Sequence, residues 1–554
     1  MTTVTPSIFV LGASALSTAR LIQTTLPGAQ IFGLDGRVAD VDVSYQNFGR
    51  TLRARYRSGS PIIALCAAGI VIRTLAPLLS EKGDEPPVLA VAEDGSAVVP
   101  LLGGLAGVND MARQIAAALD VSAAITTSGE LRFGTCLLNP PDGYSLDLQH
   151  GKRVVSDLLA GATLRIEGDA PWLQGAALPL ADEADRCVSV SAYRTDDEHT
   201  LAIHPRVVLA CVASRHALMD DALSSAFAIS GLAAQSLCAI IIEGQPGEHA
   251  EIAAVAMKRG VPVRFVSSQA ALPPSVHVGE ELTLHVAANP AEAHAIGQPR
   301  GSLHVVGLGP GAAAFMAPTV RHVLDDAQDV LGYETYVKMA GPFRPDQCLH
   351  ASDNREELQR AAHAFELAAS GRRVVMVSSG DPGVFAMAAA VLEALEASSN
   401  PSWHGVDLQI LPGITAAMAA ASRAGAPLGH DFCLISLSDN LKPWAVIEDR
   451  LRHAAAADLV MGFYNPISKA RPWQLGQALD IIREQRAPTT QVVLGRDIGR
   501  PAEALTLLTL GELTPAHVDM RTMVIIGSSQ TRRFQSNGKE WVYSPRSYPA
   551  VDAR

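Results

Sequence analysis

Short apolar runs recur along this chain, each followed by a turn that carries glycine and then by a stretch rich in Ala and Leu. That alternation reads as an α/β fold with mainly parallel strands. In the first part it predicts strands at 8–11, 62–66, 88–91 and 123–126. Helices are predicted at 69–80 and 109–119, with Asn109 as N-cap of the second. From 143 to about 198 the apolar stretches become irregular among acidic residues, which predicts a small linking domain. A third unit begins near His204. Strands at 207–212, 236–243 and 261–266 alternate there with helices at 220–229 and 250–259, a βαβαβ unit. The run NPAEAHAIGQPRG at 289–301 reads as a linker. A new strand follows at 303–308. The last residues, from about Gln535, read as a loosely ordered tail. The expected domains are 1–142, 143–203, 204–296, 301–533 and a tail at 534–554.

Composition narrows the classes. A chain of 554 residues holds about three to five domains. A net charge of −12 argues against sequence-independent nucleic-acid binding. No apolar run is long enough for a transmembrane helix. The apolar start at 7–15 lacks the positive flank of a signal peptide and reads as a first strand. Seven scattered cysteines include no C-x-x-C pair, so reduced thiols in the cytoplasm are expected and no metal site is.

The chemistry concentrates in loops that follow strands. Gly307-Leu308-Gly309-Pro310-Gly311-Ala312 formally satisfies G-x-G-x-x-A, the dinucleotide fingerprint. Pro310 removes one of the N–H groups that a pyrophosphate would need. A second loop, 378–385, puts Asp381 at the end of a strand at 374–377. A third is 411–416, with Thr415 opening a helix of small residues. A fourth is 463–466, after a strand at 458–461. A fifth is 495–500, after a strand at 491–494. Each alone is also a simple turn or helix cap. Their convergence on one sheet edge predicts a ligand crevice. Polar stretches at 352–357, 429–432 and 436–444 lie between them. The basic residues Lys338, Arg355, Lys442, Lys469, Arg471, Arg496 and Arg500 would suit a polycarboxylate ligand.

These residues resemble a known family. GLGPG at 307–311, GYETY at 332–336, ASDNREEL at 351–358 and SSGDPGVFAMAAAV at 378–391 are similar to the precorrin-3B C(17)-methyltransferases. So are PGITA at 412–416, AGAPLGHDFCLISLSDNLKPW at 424–444, YNPISKARPWQL at 464–475, GRDIGRP at 495–501 and DMRTMVIIGSSQTR at 519–532. The resemblance covers essentially all of 301–533. It implies a two-lobed tetrapyrrole methylase fold, usually a homodimer, that binds S-adenosyl-L-methionine between the lobes. It further implies methylation of a precorrin at C-17 with ring contraction, a step of cobalamin biosynthesis. Carried over, the cofactor-binding residues are Pro310, Ser379, Gly380, Asp381, Val384, Thr415 and Ala416, with Tyr464 and Asn465 as additions. Ring contraction moves a proton, and Asp353, His430, Asp439 and Lys442 are candidate acids or bases by residue type.

The first 296 residues resemble the cobalt-precorrin-5A hydrolases through GIVIRTLAPLLSEK at 69–82, VVPLLGGLAGVNDMAR at 98–113, AAITTSGE at 123–130 and HPRVVLACVASR at 204–215. Gly104 stands where that family has a histidine. Cys211-Val212-Ala213-Ser214-Arg215 replaces its G-x-G-C-R loop. A degenerate hydrolase-like half that binds or channels a corrinoid is the expectation. The alternatives are a cobalt-factor III methyltransferase with an active hydrolase half, an NAD-linked dehydrogenase resting on G-x-G-x-x-A alone, and a non-catalytic corrinoid carrier.

Overall fold

The computed structural model describes residues 5–79, 85–146, 148–213, 220–244, 246–247, 249–267, 269–279, 282–353 and 356–548. Ser214 and Arg215 of the hydrolase-like loop, and Asn354 and Arg355 of the 352–357 stretch, lie outside them.

Among the described residues, six sheets organise the chain. The first runs Val43–Tyr45, Gln30–Leu34, Ser7–Val10, Ile62–Leu65, Val88–Val91, Val98–Leu102. All its strands are parallel except the last. Period-two geometry sends Ile8 and Val10 to one buried face and Phe9 to the other, so helices cover both sides. The strand expected at 123–126 shrinks to one bridge between Val98 and Ala123. Asn109 is not a cap either. Gly107, left-handed at φ 84°, precedes the helix Val108–Ala118, and the Asn109 amide turns inward instead.

The expected linking segment holds a four-stranded sheet in the order Tyr144–Leu146, Thr200–Pro205, Arg186–Val190, Leu164–Glu167. His204 and Pro205 end a strand of this sheet, and the strand Val208–Ala213 opens the next one. The third sheet has Val208–Ala213, Leu237–Glu243 and Val263–Val266 in parallel. Two antiparallel strands, Leu282–Val286 and Ser275–Val278, extend one side.

The expected linker is ordered. The Asn289 side chain caps the helix Pro290–Ala295, and Gln298–Pro299 pairs with the Val263–Val266 strand. Buried Arg264 donates to the Ala293 and Ile296 carbonyls at 3.1 and 3.2 Å. Gln298 and Arg300 then reach forward to the carbonyls of Ala369 and Gly405, each at 2.7 Å. Proline and glycine mark turns here, but side-chain bonds at both ends fix the segment.

The C-terminal part has two five-stranded sheets. One is all parallel, in the order Cys348–Ser352, Asp329–Tyr333, Arg373–Ser378, Ser302–Gly307, Asp407–Leu411. The other is mixed, in the order Phe432–Ser436, Val460–Tyr464, Thr522–Ile526, Gln491–Arg496, Ala504–Thr509. The expectation of one shared sheet edge is thereby corrected. The loops at 307–312, 378–385 and 411–416 end strands of the first sheet, whereas those at 463–466 and 495–500 belong to the second. The strands of the second sheet also run further than expected, to Tyr464 and Arg496. The chain end departs too. Arg532–Ser536 and Lys539–Tyr543 form a hairpin that pairs with Gly425–Ala426 and buries Val542.

Candidate functional site

Three strand-end loops of the parallel sheet meet, two of them joined by backbone hydrogen bonds. Gly309 and Gly380 exchange N–H···O bonds of 3.1 and 2.8 Å, and Leu308 N–H bonds the Ser378 carbonyl at 2.9 Å. A Cβ on either Gly307 or Gly413 would collide with the Gly380 carbonyl. Gly309 and Gly380 are also left-handed, at φ 72° and 68°. Glycine is required here because three main chains meet. The Asp381 carboxylate closes the assembly, accepting from Gly383 N at 2.8 Å and from Gly413 N at 3.0 Å. It ties its own turn to the neighbouring loop.

The second sheet supplies the opposite wall. Tyr464 ends its strand, and its hydroxyl pairs with Thr415 Oγ1 and accepts from Ala417 N at 3.1 Å. Burial raises the Tyr464 pKa, and nearby Asp381 adds to the effect, so the phenol stays protonated. Phe385, half exposed and left-handed at φ 52°, sets its ring 5.1 Å from that of Tyr464. Ile414 and Met418 are also exposed. Asn465 turns at φ 49° and donates to buried Ser436 at 3.1 Å. The small residues of the helix Ala416–Ala424 let it lie close to the second sheet, where a Cβ on Gly495 would meet the Ala420 Cβ at 2.6 Å.

Of the expected cofactor residues, Pro310 is buried, Ser379, Val384 and Ala416 are half-buried, and Thr415 is buried at the helix start. All sit on these loops. The four acid–base candidates separate. Asp439 and Lys442 lie on the loop after Phe432–Ser436, at the same strand ends as Tyr464. Gln474, 1% exposed, donates to both Asp439 oxygens at 3.2 Å. Burial lowers the Lys442 pKa, with Arg450 nearby adding to the shift. Asp353 is exposed beyond the edge strand Cys348–Ser352, its carbonyl held by Arg360.

His430 stands apart. It precedes the Phe432–Ser436 strand, so it lies at the other end of the sheet, roughly 20 Å from Ser436 at about 3.3 Å per residue. There its Nδ1 accepts from Asp431 N at 2.7 Å and its ring meets Tyr548 edge-on. A polar context in sequence does not say which end of a strand a residue occupies.

Sequence reasoning passed over Ser378, Phe385 and Gln474. Ser378 Oγ, Gln474 Oε1 and Trp444 Nε1 are buried without hydrogen-bond partners, although buried polar groups are normally paired. Phe385 could have been found as an aromatic residue two positions after the Gly380-Asp381-Pro382-Gly383 turn. Ser378 and Gln474 carry no local signal.

Residues 302–514 match the tetrapyrrole (corrin/porphyrin) methylases, and residues 50–130 match the N-terminal region described as cobalamin synthesis G. The chain belongs to the tetrapyrrole methylase family. The particular relatives are closer still. A Sinorhizobium precorrin-3B C(17)-methyltransferase is 53% identical over 249 residues, 45% of this chain and 97% of that protein. The Mycobacterium tuberculosis (strain H37Rv) cobalamin biosynthesis protein CobIJ is 48% identical over 253 residues, 45% of this chain and 49% of that one. Among solved structures, the methyltransferase CobJ is 51% identical, with a TM-score of 0.42, covering 44% of this chain and all of that one. A methylase half is therefore fused to a half related to cobalamin synthesis G.

Proposed function

We propose that residues 302–533 transfer the methyl group of S-adenosyl-L-methionine to C-17 of precorrin-3B, with ring contraction to precorrin-4, in cobalamin biosynthesis. The observation that carries this reading is 53% identity spanning 97% of the Sinorhizobium enzyme. The residues present fit the cofactor. The segments 307–312, 378–384 and 412–416 hold no Lys or Arg, so they suit a phosphate-free ligand. Buried Ser378 Oγ is still without a partner, and exposed Phe385, Ile414 and Met418 offer an apolar rim.

S-adenosyl-L-methionine supplies a methyl group already activated on a sulfonium. Pro310, Ser379, Gly380, Val384, Thr415 and Ala416 line the cleft between two lobes, one built on each sheet. Asp381 acts by holding two loops together, and Tyr464 and Asn465 close the far wall. These groups orient the ligand and exclude water, which is where most of the barrier reduction lies for a preactivated donor. Asp439, oriented by Gln474, moves the proton in ring contraction, and Lys442 pairs with a substrate carboxylate.

Domain limits follow the sheets, with a hydrolase-like first unit at 1–142, a small second unit, a third from Val208 to about 296, and the methylase after it. The N-terminal half binds a corrinoid. The methylase half forms a homodimer. Seven free thiols suit the cytoplasm. The deciding experiment incubates the protein anaerobically with methyl-labelled cofactor and either precorrin-3B or cobalt-factor III, then weighs the products. Labelled precorrin-4 from precorrin-3B supports the reading. Product from cobalt-factor III alone shifts it to the cobalt series, and no methylated product from either overturns it.

A further inference from the structure

The loop Gly495–Pro501 crosses from the second sheet to the GPG turn of the first and leaves one cation there uncommitted. Arg500 donates from Nε to the Pro310 carbonyl at 3.2 Å. Its aliphatic stem lies against Gly311, where a Cβ would stand 2.7 Å from Arg500 Cγ. Gly499 approaches Pro310 as closely, with a would-be Cβ 2.9 Å from its ring. The stem is thus pinned between two glycines and a proline, and only the guanidinium head is free to choose a partner.

Its charge is not needed by its neighbours. Asp497 is buried; Arg496 and Arg521 approach its Oδ2 at 3.2 and 3.3 Å, and Arg500 Nη1 reaches its Oδ1 only at 3.9 Å. Asp519 is taken by Arg496 at 2.8 Å. Glu503 is taken by Gly499 N and Arg423. Three guanidiniums therefore face two local carboxylates, Asp497 and Asp519, and the surplus positive charge falls on Arg500. Among the described residues, neither of its terminal nitrogens donates a hydrogen bond. The Arg500 charge also acts on half-buried Tyr336 of the GYETY segment.

A guanidinium pinned by its stem, with one terminal nitrogen standing 3.9 Å from a carboxylate that other arginines also face, suits capture of a second carboxylate. We propose that Arg500 is a ligand-binding residue that grips a carboxylate in the interlobe cleft. The proposal rests on the methyltransferase reading above. Under it two molecules carry that group, the amino-acid tail of the cofactor and the acidic side chains of the tetrapyrrole.

The test compares the full-length native chain with Arg500→Met, which keeps the bulk and removes the charge, and with Arg500→Lys, which keeps the charge and loses the fork. Three quantities are measured: the Kd of S-adenosylhomocysteine, the Kd of methylthioadenosine, which lacks the amino-acid tail, and the KM of precorrin-3B. Loss of a charge-assisted pair predicts roughly a 10- to 100-fold weakening in Arg500→Met, partly restored in Arg500→Lys. Weaker S-adenosylhomocysteine with unchanged methylthioadenosine assigns the grip to the cofactor. A raised KM with both cofactor analogues unchanged assigns it to the tetrapyrrole. If no constant moves, or if methylthioadenosine weakens as much as S-adenosylhomocysteine, Arg500 merely props the lobes and the proposal is wrong. If the native chain neither binds S-adenosylhomocysteine nor turns over, it is the methyltransferase reading that fails.

Discussion

The N-terminal half and the methylase half use the same alphabet to opposite ends. In the first sheet unit, Glu130 is buried and fully paired. It accepts from Asn109 at 2.6 Å and from Arg113 at 2.5 Å. The nearby glycine loop is spent on packing, since a Cβ on Gly103 would press on Pro86 and Pro87. In the methylase half, glycines also bring backbones together and Asp381 is also paired. There, however, polar atoms are left over. Among the described residues, the buried side-chain nitrogens and oxygens with neither a hydrogen bond nor an ion pair are Ser378 Oγ, Trp444 Nε1, Gln474 Oε1 and Arg486 Nε. A buried unpaired polar atom costs roughly 1–3 kcal/mol, so a fold retains it where a ligand or water completes it. One half satisfies its buried polar groups, and the other keeps a few of them unpaired.

That contrast can be broken most sharply at Gly413. Gly413→Ala drives a methyl group into the Gly380 carbonyl and separates the loops, so kcat/KM for methyl transfer should fall by roughly 100-fold or more. Tyr464→Phe removes the acceptor of Ala417 N and the partner of Thr415. It should cost about 1–2 kcal/mol in the methylase half and lower turnover about tenfold, read by steady-state kinetics and calorimetry. Glu130→Ala is the counterpart in the closed half. It strands Asn109 and half-exposed Arg113, so it should destabilise the first unit by about 1–3 kcal/mol and leave methyl transfer untouched.

Alkali should separate the halves by a smaller effect. Burial, reinforced by Glu93 for Cys66 and by Glu243 for Cys211, pushes these two thiols from 9.0 to about 11 and about 12. A raised folded-state pKa means the folded form holds its proton more tightly. The stability contributed is therefore whole below pH 9 and drains away as pH climbs toward 11–12. Both thiols are in the N-terminal half. Regional hydrogen exchange should show that half opening first between pH 9 and 12, and opening of the methylase half first would contradict this. The smallest effect is expected at His430. His430→Ala should leave turnover unchanged, and a loss of turnover would return that histidine to the reaction.

Local pattern was enough for much of the fold. The helix Ala250–Arg259 and the strand Val88–Val91 fall where the apolar periodicity puts them. The loops at 307–312, 378–385 and 411–416 were legible because glycine and proline after an apolar run encode a turn directly. Non-local pairing was not legible. The closing hairpin depends on Gly425–Ala426 meeting Val542–Tyr543, more than a hundred residues away, and its polar, exposed first strand carries no apolar signal. The 289–301 segment looked free because the side chain that holds it, Arg264, lies outside it. At the site, residue types singled out the loops, but which sheet each loop ended, and which end of a strand His430 occupied, came only from the assembled topology. Asp381 was legible as important, yet its task of joining two loops appears only when Gly413 N is seen beside it.

The central claim is that the methylase half is completed by its cofactor and delivers a methyl group to one ring carbon. The most direct measurement is carbon NMR of the tetrapyrrole formed from precorrin-3B and S-adenosylmethionine carrying a 13C-labelled methyl group. The account predicts one enriched methyl signal, on C-17 of a ring-contracted product. Label on another carbon, or none incorporated, would contradict it.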